Sequence, residues 1–487
     1  METSATDASR AQASTLSSSG LEPYGPSPEN PWGEFLVRHL LRRVAFAPRV
    51  TESALGVTRN PGELVDDLMA FTPSPDSPSW AYDAPFPTPL TTEQSALYSA
   101  WRVELREWWL NLMVTRPPTI TEKMTLFWHG HFASELSDVS VPQRMFRQNA
   151  LFRQYATGNF RDLVKAVAID PAMLVYLNGT QNRSGNPNEN FARELLELFT
   201  IGIGNYTQVD IQNAARAFTG WTLPTTSLDP VFVPSRHDNG IKTFMGQTGN
   251  FDGNAIIDII FQQPEAARFI CRKLYRFFVY EIPNEAVVDQ LATLLRASNY
   301  ELAPVLTLLF KSAHFFDPLN ISADISGPVE RTVGAIRQLE IPVTPQVLSF
   351  LRRKTPPMGQ ELLEPPNVAG WPGYRQWINT TTLLLRNAFT DAIVTGRDTN
   401  NSNIGFKVNA VAFAQLFPTP NDAVSLVDHC SAHLIAMPVS EARRAMLLQT
   451  LLAGIDVYDW NIADPQAGTR LEGLLKVIFR MAEYQLG

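Results

Sequence analysis

Hydrophobic residues recur at a helical spacing along most of the chain. A period of about 3.6 residues runs through FLVRHLLRRVAF (35–46), TTEQSALYSAWRVELREWWLNLMV (91–114) and PEAARFICRKLYRFFVYEI (264–282). Strand-like alternation is scarce. Thr207 stands three residues before Asp210, a spacing that predicts a helix-starting capping box with Asp in the position of Glu. The pattern therefore predicts a mostly α fold.

Composition changes along the chain predict its organisation. Residues 1–30 are rich in Ser, Ala and Pro and nearly free of large apolar side chains, which predicts a disordered tail. Residues 31–395 are predicted to form one large helical core that is interrupted by long irregular loops. The polar stretch TGRDTNNSN then precedes further helical patterns, so residues 396–487 are predicted to be a C-terminal helical subdomain packed on the core.

Bulk composition narrows the class of protein. The chain has 487 residues, 45% of them hydrophobic, which is enough for a large core. Its net charge of −8 supplies no general basic field, so nucleic acid is disfavoured as a partner. The two cysteines, Cys271 and Cys430, lie far apart in sequence, which indicates neither a disulfide framework nor a cysteine-based zinc site.

Targeting segments are not visible in the sequence. The first residues lack the basic start and the apolar stretch of about 7–15 residues that a secretory signal needs. No run of about 18 apolar residues that could span a bilayer occurs anywhere in the chain. The sequence therefore predicts a cytoplasmic protein without a membrane span.

Charged residues cluster on one side of the segment NENFARELLELFTIG (188–202). On a helix its polar side chains fall in one arc of roughly 140°, opposite an arc of Phe, Ala and Leu. The polar arc contains Glu189, Asn190, Arg193, Glu194 and Glu197. A solvated face with i,i+4 ion pairs and the wall of a polar site produce the same pattern, so both interpretations stay open.

Two other segments carry histidines. FWHGHF contains His129 and His131, whose side chains share a ligand only if the backbone is extended, since on an α-helix they point about 200° apart. HDNGIK adds a further His-Asp pair. Together with the glutamates these residues form a hypothetical N/O metal site for a divalent ion, with His129, His131, Glu194, Glu197, His237 and Asp238 as ligands. The alternative is a dry polar network without metal.

Cationic and aromatic residues suggest how a substrate is held. Candidate cations for an anionic group are Arg193, Lys242, Arg272 and Lys273, although the same residues could neutralise buried glutamates instead. Trp371 and Trp377 flank a Pro-Gly turn in NVAGWPGYRQWIN. Aromatic faces of this kind stack on rings of a ligand or fasten a loop to the core.

Several irregular motifs occur together and in a fixed order. They are FWHGHF, GNFRDLVKAVAIDPAMLVYLN, NPNENFARELLELFTIG, YTQVDIQNAARAFTGW, HDNGIKTFMGQTGNFDG, ARFICRKLYRFFV and PPNVAGWPGYRQWIN. From about Leu40 to Phe389 the chain thereby resembles the bacterial family catalogued as domain of unknown function 1800. The resemblance implies no activity. It implies a partner from an uncharacterised family with an alkaline-phosphatase-like fold. It also implies that many members are exported, whereas no secretory signal is visible in this sequence.

Two functional hypotheses follow. The first is an enzyme of unknown reaction with a His/Glu-lined polar cleft, in which Glu194, Glu197, His131 and His237 are catalytic and a divalent metal is the candidate cofactor. It predicts that these residues converge on one cleft. The alternative is a noncatalytic scaffold or partner-binding protein whose His, Glu and Arg form a structural ion-pair network. A scaffold pairs nearly every carboxylate, whereas a catalytic cleft leaves some unpaired.

Overall fold

The computed structural model describes residues 20–70 and 76–487. Within these residues the chain forms 22 α-helices and two small two-stranded sheets. The helices are α1 Glu34–Val44, α2 Val50–Val57, α3 Pro61–Met69, α4 Thr92–Thr115, α5 Ile120–His131, α6 Leu136–Val139, α7 Pro142–Gln154, α8 Phe160–Ala168, α9 Pro171–Tyr176, α10 Asn190–Glu194, α11 Gln208–Ala217, α12 Gly253–Ile260, α13 Pro264–Phe278, α14 Glu285–Ala297, α15 Leu302–Lys311, α16 Pro328–Gln338, α17 Pro345–Lys354, α18 Thr380–Thr395, α19 Ala410–Ala414, α20 Ala423–Leu434, α21 Glu441–Leu452 and α22 Ala467–Arg480. The prediction of a mostly α fold is confirmed.

The few strands form hairpins between α11 and α12. Both pairs are antiparallel: β1 Trp221–Thr222 with β2 Val231–Phe232, and β3 Lys242–Phe244 with β4 Gln247–Gly249. One stretch of π-helix, Leu195–Thr200, directly continues α10. The predicted capping box is present at the start of α11, where the Thr207 hydroxyl accepts from the Asp210 amide and the Asp210 carboxylate accepts from the Thr207 amide.

Two hydrophobic clusters make up the core. The first joins α1 and α3 to α8 and to α11–α15, and the second joins α4 to α16–α22. Helix α5 belongs to both, since Met124 and Phe127 pack in the first cluster and Leu126 in the second. Helix α5 therefore lies at the junction of the two clusters.

The C-terminal helices share a core with earlier parts of the chain. Phe389 of α18, Phe413 of α19 and Leu474 of α22 are all buried in the second cluster, together with Leu105 of α4. Residues of α18, α19 and α22 thus share one hydrophobic cluster with α4.

The structure describes only the last part of the segment that the sequence predicts to be a disordered tail. Residues 1–19 of the expected tail lie outside the described residues. Residues 20–30 pack along the end of α15: the Tyr24 amide donates to the Lys311 carbonyl at 2.8 Å, and the Tyr24 ring lies 4.7 Å from that of Phe316. Leu21 is buried. A few apolar side chains in a polar segment are enough to dock it.

No helix in the described parts of the chain is both long and apolar enough to cross a membrane. The thiols of Cys271 and Cys430 are both buried and unpaired. Burial raises the pKa of each thiol far above its usual range.

Asp170, the N-cap of α9, gives the fold a pH dependence. It is buried and accepts hydrogen bonds from the Met173 amide and Gln148, and burial raises its pKa to about 7. Because the folded protein binds this proton more tightly than the unfolded chain, stability contributed by the protonated group is lost as pH rises from about 4 to 7. We expect Asp170→Asn to stabilise the protein increasingly over that range, measured by urea unfolding at several pH values.

A matched control for this prediction is Asp252→Asn. Asp252 caps α12 in the same way through the Ala255 amide, but it is exposed. An effect of Asp170→Asn that is flat with pH, or parallel to that of Asp252→Asn, would contradict the assignment.

Candidate functional site

The main cavity of the described residues lies at the junction of the two hydrophobic clusters. It encloses about 370 Å³ and is lined by the end of α5, by α13 and the loop after it, and by residues 324–330 and 369–377. This volume falls at the lower end of the range for small-molecule sites. Small-molecule sites often occur where two packed parts of a protein meet, because packing is incomplete there.

Close approach of two backbones forms one wall of the cavity. Gly370 has φ +85°, and a Cβ atom there would lie 2.0 Å from the Gly130 carbonyl oxygen in α5. Trp371 then covers Gly130, with its ring 3.5 Å from where a Cβ of Gly130 would be. The glycines of the motifs FWHGHF and NVAGWPG therefore bring the two segments into contact.

One face of helix α13 lines the cavity with two cationic side chains and one aromatic side chain. Its buried face includes Ile270 and Leu274. Lys273, Arg276 and Phe277 lie on another face at helical spacing and line the cavity. The Lys273 Nζ also lies 5.0 Å from the centre of the Phe269 ring. The amphipathic pattern of α13 is thus what directs an amine and a guanidinium into the same space.

The π-helix supplies the carbonyls that hold Lys273 and His131. Helix ends leave their last carbonyls without backbone donors. Here the Leu198 carbonyl accepts from Lys273 Nζ at 2.9 Å, and the Phe199 carbonyl lies 3.0 Å from His131 Nε2. Lys273 Nζ also lies 3.1 Å from His131 Nδ1. If Nε2 carries the imidazole proton and donates to the carbonyl, Nδ1 accepts from the lysine.

Burial and neighbouring charges lower the pKa of both Lys273 and His131. Burial, and then the neighbouring Arg276, lower the pKa of Lys273 to about 8. Burial and the charge of Lys273 lower the pKa of His131 well below its usual range, so the imidazole is neutral. Near neutral pH the cavity therefore contains an amine that exchanges readily between its charged and neutral forms.

Three carboxylates face the same cavity, and two of them are paired. Asp324 forms an ion pair with Arg43 at 3.0 Å, and Glu330 pairs with the buried Lys123. Glu281 forms no ion pair with any described residue, and burial raises its pKa. The cavity thus combines an unpaired carboxyl group with an unpaired amine.

Aromatic side chains form the apolar part of the lining. They are Phe127, Phe277, Trp371, Tyr374 and Trp377. Phe127 and Phe277 contact each other with ring centres 5.2 Å apart. The sequence left open whether Trp371 and Trp377 stack on a ligand or fasten a loop to the core, and both line this cavity together with Lys273 and His131.

His129 lies elsewhere, in a buried polar network. Because α5 continues through Gly130, its side chain points away from that of His131. Its Nε2 lies 3.0 Å from Asn149 Nδ2, and Asn149 in turn accepts from Arg153 at 2.8 Å. Arg153 forms a bidentate ion pair with Glu122. Burial, and then Arg153, lower the pKa of His129 to about 3.

The polar arc of α10 and the π-helix borders a different surface. Arg193 pairs with Glu189 at 3.0 Å, and the Glu197 carboxylate accepts from the Tyr206 hydroxyl at 2.9 Å. Glu194 is half-buried, and burial, then Glu197, raise its pKa. Neither these four residues nor Asn190, the fifth residue of the arc, line the main cavity.

His237, Asp238 and Lys242 stabilise the hairpin loop. His237 Nδ1 lies 2.8 Å from the Thr219 carbonyl, and Asp238 pairs with Arg216 at 2.8 Å. Lys242 Nζ donates to the Asp238 and Gly240 carbonyls.

Arg272, the neighbour of Lys273, points to the other side of α13. It pairs with Glu265 and Glu285.

The expected convergence of all candidate residues is therefore not observed. Of the nominated residues, only His131, Lys273, Trp371 and Trp377 line the main cavity. The described residues contain no group of three or more His, Cys, Asp or Glu side chains that could hold a metal ion. The six nominated ligands do not share one site, and both ring nitrogens of His131 already have protein partners.

Sequence reasoning missed part of the lining. Arg276 was not missed, because the sequence already offers it with Arg272 and Lys273 as a possible anion-binding cation, and it lies three residues after Lys273 on the same helix face. Glu281, Asp324 and Glu330 lie in or near connections between helices, and no local pattern marked them.

Comparison with known proteins gives one match. The family described as Protein of unknown function (DUF1800) matches residues 39–486, which extends well beyond the 40–389 region of the quoted motifs and includes the C-terminal helices. No curated protein and no solved structure matches the chain significantly. The match covers nearly the whole chain, and the chain therefore belongs to the DUF1800 family.

Proposed function

We propose that the protein is an enzyme that binds a small organic anion in the main cavity and uses the Lys273 amine to transfer a proton. The observation that carries this proposal is the environment of Lys273. Its Nζ is held by a carbonyl and an imidazole nitrogen, and it forms no ion pair with a described carboxylate. A lysine that served only to neutralise a buried acid would have a carboxylate partner.

The chemistry of the lining supports an anionic ligand with a flat apolar part. Arg276 lines the cavity and is exposed, and its Nε donates to the Glu281 carbonyl while its terminal nitrogens have no hydrogen bond to a described residue. A guanidinium binds a carboxylate through two parallel hydrogen bonds. The aromatic side chains that line the same cavity provide faces for a ring.

General acid–base catalysis needs groups whose protonation state changes near the pH at which the enzyme works. A pKa of about 8 for Lys273 meets this condition. Glu281, whose pKa burial raises, is the acid of the same cavity. His131 is a positioning residue in this scheme, because its neutral ring fixes the amine through Nδ1.

The alternative function is a scaffold that binds a partner protein. It is favoured by the ion pairs of Lys123 with Glu330 and of Arg43 with Asp324, which neutralise two of the three cavity carboxylates. The family resemblance suggests a partner with an alkaline-phosphatase-like fold. In that case the cavity is a by-product of packing, and small anions have no specific effect on it.

Binding of 4-(hydroxymethyl)benzoate, followed by tryptophan fluorescence, tests the enzyme proposal. We expect the ligand to change the emission of Trp371 and Trp377. We also expect Arg276→Gln to weaken binding about tenfold or more, since a hydrogen bond to a charged group contributes roughly 1.5–3 kcal/mol.

The matched control is Arg268→Gln on the same helix. Arg268 is partly exposed, pairs with Asp289 and does not line the cavity. We expect this variant to bind the ligand as the wild type does. Equal effects of the two variants, or no fluorescence change with the wild type, would overturn the proposal in favour of the scaffold.

A further inference from the structure

The hydrogen bonds of Lys273 define where its lone pair is available. A neutral amine has two protons and one lone pair. Both nearby partners, the Leu198 carbonyl and His131 Nδ1, are acceptors and take the two protons. The lone pair is then the one corner of the nitrogen without a protein partner, on a side chain that lines the cavity.

We infer that Lys273 is a nucleophile that forms an imine with an aldehyde or ketone carrying a carboxylate group, which Arg276 binds. The inference rests on the proposed function, because it concerns the same cavity, and it adds the class of substrate. A lysine becomes a nucleophile when it is desolvated or lies next to another cation. Lys273 satisfies both conditions, since burial and Arg276 both lower its pKa.

The reaction balances without a redox partner. The Lys273 lone pair attacks the carbonyl carbon, a C–N bond forms, and the carbonyl π electrons move to oxygen. Both amine protons finally leave with that oxygen as one water molecule, and a C=N bond remains. Glu281 lines the same cavity and has no ion-pair partner among the described residues, so in this scheme it donates a proton to the departing hydroxyl and takes back the proton that leaves the nitrogen.

Reductive trapping tests the inference on the full chain. The probe is 4-carboxybenzaldehyde with cyanoborohydride, and the labelled lysine is located by mass spectrometry of peptides. We expect Lys273 to be the dominant site, with labelling reduced at least tenfold by excess 4-(hydroxymethyl)benzoate, which has the same carboxylate but no carbonyl. Mapping on the wild type avoids reliance on a variant that fails to fold.

Lysine variants and the pH dependence of labelling test whether Lys273 is the reacting amine. Lys273→Arg should abolish the dominant adduct, whereas Lys407→Arg, at an exposed lysine outside the main cavity, should not. Labelling of Lys273 should reach half its maximum near pH 8 in the folded protein and at a higher pH in urea, where amines have ordinary pKa values. The titratable and charged groups that line the same cavity as this amine are His131, Arg276, Glu281, Asp324 and Glu330.

The outcomes separate the two proposals. Labelling spread evenly over surface lysines while 4-(hydroxymethyl)benzoate still binds would overturn the imine and leave the anion site. Absence of both labelling at Lys273 and binding would overturn both.

Discussion

Replacing Glu122 by alanine is expected to lower the free energy of unfolding by about 3–5 kcal/mol, because it leaves a buried cation without its partner. Glu122 and Arg153 are only 6% and 4% exposed, and two hydrogen bonds of 2.8 and 2.9 Å join them. Trp109 donates to the same carboxylate at 2.9 Å. Equilibrium denaturation in urea measures the loss.

Two controls identify the cause of this loss. Asp67→Ala removes the carboxylate of the exposed pair Arg59–Asp67, and we expect a change of about 1 kcal/mol or less. The double variant Glu122→Met with Arg153→Met removes both buried charges and should recover much of the stability. If Glu122→Ala costs no more than Asp67→Ala, the network around His129 is not a buried charged core.

Gly370→Ala is expected to be the most damaging substitution of the cavity wall. A methyl group there would lie 2.0 Å from the Gly130 carbonyl oxygen, and the backbone at φ +85° is strained for any side chain. The strain alone is of the order of 1–3 kcal/mol, and relief of the clash requires the loop to leave α5. We expect lower stability in urea together with altered emission of the adjacent Trp371.

Gly130→Ala is the matched control on the other side of the same contact. Its methyl group would meet the Trp371 ring at 3.5 Å, an ordinary contact. Alanine within a helix is also favoured over glycine by roughly 1 kcal/mol. We expect neutral or increased stability, and a loss in Gly130→Ala as large as that in Gly370→Ala would contradict the described spacing of the two segments.

Local patterns in the sequence were sufficient for the secondary structure. Helical periodicity and capping signals depend on residues within a few positions of one another, and they placed α1, α4, α13 and the start of α11 correctly. Residue types and their spacing also nominated Lys273, Trp371 and Trp377 as possible substrate-binding residues, which the structure places in one cavity. They also located the polar arc of α10, but its neighbours in space could not be read from periodicity.

By itself the sequence determined the mostly α class and the residue types available for chemistry. Only the tertiary structure decided which of them meet, because the contacts are long-range: Lys273 and His131 are 142 residues apart. The continuation of α5 through Gly130 separated His129 from His131, since residues two apart on a helix point in nearly opposite directions. Packing of α13 against the π-helix then gave His131 a lysine as its neighbour, where the sequence had suggested glutamates.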